Sequence, residues 1–426
     1  MKVTTEPAGT MSRIATDSPE RNVALRRSVG VFGLILYGLG VTIGAGIYVL
    51  VGDAVVRAGL HAPAAFLLSA LVMAFTAGTF AELSSRVPQA AGEAVYVEAA
   101  FCLPWLTILI GLAVLLEAMI AAAAIAVGSA GYVAELVSLP RPVLISAIVL
   151  LMATVAAWGI RESVAIAGVM TLIEVAGLLI IIVAGIAADP TAIRTLPDTL
   201  LPPLSDAATV SGVLAASLIA LFAFIGFDDI VNLVEEARNP QRDLPRALVA
   251  TLTIVTLIYV LVCFVAVRGV PAEAMAETDA PISLLFEQLT GLSPLAITLV
   301  AIVATMNGVV IVLIMAARVA YGMARKGRLP AWIGRVSPRT RTPLTATALV
   351  TGCILFLALF TPLNVLAETT SGIILAVFFV VNLALLWLKL RQVPAPKSGF
   401  RVPMVVPAIG AAGCLGLLVG ALVLGP

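Results

Sequence analysis

The sequence predicts an all-α integral membrane protein of about eleven transmembrane helices, and three observations carry that prediction. Of its 426 residues, 61% are hydrophobic and only 12% charged, and the mean hydropathy is +1.12. That is more apolar surface than a water-soluble domain can bury. Apolar runs of about 20 residues, the length a helix needs to cross ~30 Å of hydrocarbon, recur along the chain. Lysine and arginine gather in alternate connections between those runs.

In chain order, residues 1–28 are polar, hold Arg13, Arg21, Arg26 and Arg27, and have no apolar core. They read as a cytoplasmic tail and not as a cleavable signal peptide. Spans are expected near residues 29–52, 60–85, 104–134, 142–158 and 164–187. After an outer loop at 188–207, further spans are expected near 208–236, 246–268, 292–323, 343–360 and 364–391. Residues 392–426 supply a loop and an extra helix near 403–424. With the N-terminus inside, 21 of the 25 basic residues fall on the cytoplasmic side, leaving only Arg57, Arg141, Arg194 and Arg268 outside. This asymmetry is the signature of a cell-membrane protein with a cytoplasmic N-terminus. The inner clusters read as topology determinants touching anionic headgroups, not as a nucleic-acid site.

Several function classes are excluded by what is missing. The four cysteines, Cys102, Cys263, Cys353 and Cys414, stand singly without metal-ligand spacing and read as small core residues. His61 is the one histidine. No His-Asp pair, Gly-x-Ser-x-Gly motif or zinc arrangement is present, so neither an enzyme nor a metal or other cofactor is expected.

Two segments break the apolar pattern. Gly38-Leu-Gly-Val-Thr-Ile-Gly-Ala-Gly46 lies in the first span and Phe222-Ala-Phe-Ile-Gly-Phe-Asp-Asp229 in the sixth. Lipid offers no water to repair a broken backbone, so such interruptions survive where they line a cavity or bind something. Five spans begin at each break. Five is odd, so the second set starts from the opposite side, and residues 29–187 and 208–391 are expected to be inverted five-helix repeats around a midplane site. For Gly111, Gly128, Gly168 and Gly177, close helix packing explains the glycine. Around Gly44 and Gly46, close approach of a ligand to bare backbone is the favoured explanation.

A broken helix exposes amides at the start of its second half and carbonyls at the end of its first, ends that favour an anion and a cation respectively. A zwitterion suits the pair. The carboxylate of an amino acid would meet Gly44, Ala45 and Gly46, and its ammonium the carbonyls near Thr42, Ile43, Phe222 and Ile225, beside Gly226.

These residues carry a resemblance. Gly44-Ala-Gly-Ile-Tyr48 resembles the first-span Gly-x-Gly-Ile-Phe/Tyr signature of the amino acid-polyamine-organocation (APC) superfamily. Phe222 to Asp229, running on through Glu235-Glu-Ala-Arg-Asn-Pro-Gln-Arg-Asp-Leu-Pro245, is similar to that superfamily's sixth span and following loop. Arg318-Val-Ala-Tyr-Gly-Met-Ala-Arg325 with Arg341-Thr-Pro343 resembles the stretch between its eighth and ninth spans. The similarity is nearest to bacterial permeases akin to cationic amino acid transporters and runs over most of 29–391. It implies a LeuT-like 5+5 inverted repeat with discontinuous first and sixth spans, alternating access, and amino acid transport without ATP. Relatives usually have twelve spans, some fourteen.

Ionisable groups at membrane depth are costly, so each one asks for a role. Glu174, in Thr171-Leu-Ile-Glu-Val175, stands where many relatives carry a lysine; it is expected to take up and release a proton, to help bind a cation, or to hydrogen-bond neighbouring helices. Asp228 follows the sixth-span break, where it would serve coupling or gating or cap free amides. Glu117 matches an acidic position of cationic amino acid transporters and would shape the pocket or pair across spans. Asn307 is a pocket candidate or interhelical glue. Glu82, Arg86, Glu93, Glu98, Glu235 and Glu236 are expected to form interfacial ion pairs or an inner gate. The third, sixth, eighth and tenth spans should line the side-chain pocket, with Phe222, Phe224 and Phe227 as aromatic gates.

The small, uncharged wall at Ala121 to Ala124 and Gly128, with Phe222, Phe224 and Phe227, favours neutral, moderately large or apolar amino acids, and Glu174 would provide proton coupling. An exchanger or a cationic amino acid or polyamine carrier is the alternative, since Glu117 and Asp228 can pair with a cation. A channel would need a continuous polar stripe, and a substrate-sensing receptor an appended signalling domain; neither is visible.

Overall fold

In a computed structural model, residues 29–44, 46–87, 92–158, 164–234, 237–337, 342–396 and 399–424 are described. The tail 1–28, Ala45, Glu235, Glu236 and Arg341 lie outside the described residues. The described chain is helical throughout, with one isolated parallel β-bridge between Val29 and Ala237. The helices are α1 (Val31–Ile43), α2 (Gly46–Ala58), α3 (Ala62–Arg86), α4 (Gly92–Phe101), α5 (Pro104–Ala134), α6 (Arg141–Trp158) and α7 (Val164–Ala188). They continue with α8 (Leu196–Leu200), α9 (Ala207–Phe224), α10 (Pro240–Gly269), α11 (Ala272–Glu277), α12 (Pro281–Thr290), α13 (Leu295–Arg325), α14 (Leu344–Phe360), α15 (Leu363–Leu390) and α16 (Val405–Leu424).

Among the described residues, seven helical stretches are long and apolar enough to cross a membrane: Gly46–Arg86, Pro104–Ala134, Gly168–Ala188, Ala207–Val231, Pro240–Gly269, Leu295–Arg325 and Leu363–Leu390. Shorter apolar helices occupy Val31–Ile43, Arg141–Ala157, Leu344–Phe360 and Val405–Gly420. The protein is therefore a multi-pass, all-α membrane protein. Between apolar stretches the connections fold into short helices, α4, α8, α11 and α12, that the search for apolar runs passes over.

Local chemistry sets the helix ends. Proline occupies the first turn of α3, α5, α10 and α12, where its missing N–H costs nothing. Asp206 caps α9 by accepting from the Ala208 amide at 3.1 Å, and its bond from the Thr209 hydroxyl holds this exposed carboxyl below the usual range. Both interruptions are real breaks. The α1 helix stops at Ile43 and α2 starts at Gly46. After α9 ends at Phe224, Ile225 is extended, Gly226 is left-handed with φ +108°, and the chain resumes as 3₁₀ helix over Phe227–Leu233.

Two aromatic clusters clamp the second break. Phe224 packs on Phe66 and Tyr259, with ring centroids 6.5 and 5.2 Å away. Phe227 packs on Phe80 and Phe378 at 6.1 and 5.7 Å, and Tyr96 joins Phe80 at 5.9 Å. The last helix is seated by polar bonds as well as apolar contact. Asn382 of α15 donates to Thr76 and accepts from Thr79, both on α3, and a Cβ on Gly410 of α16 would lie 2.5 Å from its Oδ1. Below it, the buried Glu82 carboxylate accepts from Arg86, Lys389 and the Val402 amide at 2.7–2.9 Å.

Candidate functional site

The two breaks meet. A Cβ on Gly226 would lie 2.8 Å from Val41 Cγ1 and 3.0 Å from the Val41 carbonyl, and one on Gly46 would lie 2.3 Å from Ala223 Cα. Close helix approach therefore uses up the space beside Gly46, and the same holds for Gly38 against Ile230 and Gly40 against Thr171. At Gly44 a Cβ meets only ordinary contacts, the nearest being the Gly40 carbonyl at 3.5 Å.

Tyr259 of α10 reaches both carbonyl ends. Its hydroxyl lies 2.8 Å from the Thr42 carbonyl and 3.0 Å from the Ala223 carbonyl, the last turns of α1 and α9. A helix C-terminus buried without a partner is costly, and one side chain serves two of them. Tyr48 of α2 donates to the Glu174 carbonyl at 2.7 Å, and Tyr132 of α5 donates to the Tyr48 carbonyl.

A cavity of about 430 Å³ starts at these breaks and runs to the end of α13. Its walls come from α5 (Glu117, Ala118, Ala121, Ile125), from Phe222, Ile225, Gly226 and Asp228 at the second break, from α13 (Gly308, Ile311, Val312, Met315) and from Ile374 of α15. Val41, Thr42 and Gly46 contribute from the first break, and Glu93, Arg318, Lys326 and Arg328 from the mouth. At the opposite end, Arg57 of α2 pairs with Glu368 of α15 at 2.5 Å and Arg141 with Asp279 at 2.8 Å.

Of the residues singled out in the sequence, Thr42, Gly46, Glu117, Phe222, Ile225, Gly226 and Asp228 share the cavity wall, whereas Ile43 and Gly44 stand behind it. Ala45 lies outside the described residues. Asp228 Oδ1 accepts from the Gly226 amide at 3.1 Å. Phe222 faces the cavity, but Phe224 and Phe227 turn into the two aromatic clusters: Phe222 and Phe224, two residues apart on α9, leave opposite faces of the helix, and extended Ile225 and left-handed Gly226 redirect the chain before Phe227. Glu174 is fully buried away from the cavity: Oε1 accepts from Asn307 at 3.3 Å, and Oε2 has no partner among the described residues. The Thr42 hydroxyl is likewise without a partner among them. Glu98 pairs with Arg328 at 3.3 Å, as an interfacial ion pair.

Sequence reasoning passed over Tyr259, Arg57 and Glu368. A tyrosine in mid-span is a polar group away from the interfacial belt where such rings normally sit, and that was the available signal.

Helices too apolar for water, two of them broken, with a cavity beginning at the breaks, define a multi-pass membrane protein built around a small-molecule site. Residues 29–426 match the amino acid permease family, and the chain belongs to it. It is similar to the branched-chain amino acid permease BcaP of Bacillus subtilis, 29% identical over 95% of this chain and 90% of that one. It is also similar to the methylthioribose transporter of the same organism, at 30% over 93% and 88%. The vacuolar cationic amino acid transporter 2 of Arabidopsis thaliana is 33% identical over 88% of this chain, which spans 61% of that longer protein. The protein is thus an amino acid transporter and not an enzyme, and the names of its relatives span unlike substrates.

Proposed function

We propose that the chain is a secondary active permease of the cytoplasmic membrane that moves L-amino acids by alternating access, takes neutral side chains and draws on protons. In this reading the fold is a LeuT-like 5+5 inverted repeat, residues 29–187 and 208–391, joined by the outer loop 188–207 and followed by 392–426. The N-terminus is cytoplasmic, the Arg57–Glu368 pair closes the outer end, and the cavity opens inward.

The observation that carries the reading is the convergence of both half-helix carbonyl ends, Thr42 and Ala223, on one point at the head of the cavity. Backbone ends recognise the zwitterion common to all amino acids: carbonyls near Thr42, Ile43, Phe222 and Ile225 take the ammonium, and amides around Gly44, Ala45 and Gly46 the carboxylate. The side chain then lies among Ile125, Ile311, Val312 and Ile374, an aliphatic wall in keeping with the branched-chain relative. Glu174, behind α1 and held by Asn307, carries the proton on its free Oε2.

Purified protein in liposomes is expected to take up a labelled neutral L-amino acid saturably and stereoselectively, faster when the outer solution is acidic. No uptake of any of the common amino acids overturns the reading. Glu174→Gln is expected to retain uptake and flatten its pH dependence; a wild-type pH profile at wild-type rate removes Glu174 from the coupling. A second reading, carriage of a basic amino acid or polyamine, draws on Glu117, which faces the cavity with no hydrogen bond or ion pair among the described residues. Inhibition of neutral uptake by lysine or putrescine decides between the two.

A further inference from the structure

We infer that Glu93 and Asp228 hold one proton between them at the inner mouth of the cavity, and that this shared proton ties α4 to the broken backbone of the sixth span. Glu93 stands in the first turn of α4, and its carboxyl is hydrogen-bonded to that of Asp228. Two carboxylates in contact cannot both stay ionised, so one oxygen must carry a hydrogen and donate. Asp228 Oδ1 also accepts from the Gly226 amide, which places the proton two hydrogen bonds from the left-handed turn. Both side chains line the cavity, so water can deliver the proton and remove it.

A separate observation points the same way. The Glu117 carboxyl, on a residue only 6% exposed, faces this cavity without a hydrogen bond or ion pair among the described residues. A third acid left unpartnered beside the pair marks the space as one that takes up positive charge. The other groups facing the pair are Asp229 on the same turn, Tyr96 along α4, Arg318 from α13, and Lys326 and Arg328 just beyond it, Arg328 being engaged by Glu98. The α15 helix contributes only Ile374 to the wall. Burial first, and then the charge of Asp228, push the Glu93 carboxyl well above the usual carboxylate range, while its own backbone amide opposes them. The sign follows: the link is intact at low pH and is lost as pH rises through the titration of the pair, when two adjacent anions drive α4 and the turn apart.

In this arrangement Glu93 is a positioning residue that acts through Asp228. The inference rests on the transport reading only for its second measurement. Infrared difference spectroscopy of the purified full chain, titrated with acid and base, should show a protonated carboxyl band that is lost in Glu93→Gln and kept in Glu174→Gln. Should Glu93→Gln fail to fold, Asp228→Asn must remove the same band. In liposomes, Glu93→Gln, which still donates to Asp228, should lose the dependence of transport on pH at the inner face. A band that persists in either variant overturns the proposal. If the band is lost as expected but no amino acid moves in any variant, the shared proton stands and the transport reading fails.

Discussion

At the first-span break the described residues that turn the chain carry no ionisable group, whereas at the sixth-span break a carboxylate joins the turn. Gly44 ends α1, Tyr259 bonds the Thr42 carbonyl in its last turn, and the shape of the break is imposed by neighbours: Ala223 against Gly46, Ile230 against Gly38, Thr171 against Gly40. At the sixth break Asp228 bonds the Gly226 amide two residues back, and aromatic clusters hold Phe224 and Phe227 on either side. A break shaped by packing changes only when something pushes on it. One that includes an ionisable group also answers to a proton.

Three substitutions test that contrast, taken from the largest expected effect down. Gly46→Ala drives a methyl into the α9 backbone, where nothing flexible can yield, and should cost about 1–3 kcal/mol of folded stability together with uptake. Thermal unfolding in detergent reads it directly; a wild-type melting temperature would remove packing as the cause of the first break. Tyr259→Phe takes away the one donor common to both breaks and should cost about 1 kcal/mol, with weaker substrate binding as the ends loosen. If thermal shift by the substrate is undiminished in this variant, the two ends are held independently. Gly44→Ala meets only ordinary contacts and should have the smallest effect on stability of the three. Uptake measured beside stability sharpens the result: a loss of uptake at full stability marks Gly44 as touched by substrate.

The apolar runs and both breaks were legible in the sequence because lipid leaves a backbone so few choices. A glycine and two aspartates inside a span had to mean a local departure from helix. Which way side chains leave a break is a different matter. Phe222, Phe224 and Phe227 look alike in the sequence; helical spacing puts the first two on opposite faces of α9, but only the extended Ile225 and left-handed Gly226 send Phe227 into a separate cluster. Glu93 read as one of several interfacial acids, since nothing in Gly92-Glu-Ala94 says that α4 tucks beneath the sixth span. For the glycines of the first span, sequence favoured an open approach for a ligand, yet Gly38, Gly40 and Gly46 are filled by neighbours. Bare backbone invites a helix as readily as a substrate.

A phenol has a single hydrogen to give. The Tyr259 hydroxyl stands within reach of two carbonyl oxygens, so at any instant one of them receives that hydrogen and the other is short-changed. An ammonium brings three hydrogens, enough for both oxygens at once. In the proposed function a substrate ammonium therefore serves both halves of the molecule together, where the phenol serves one at a time.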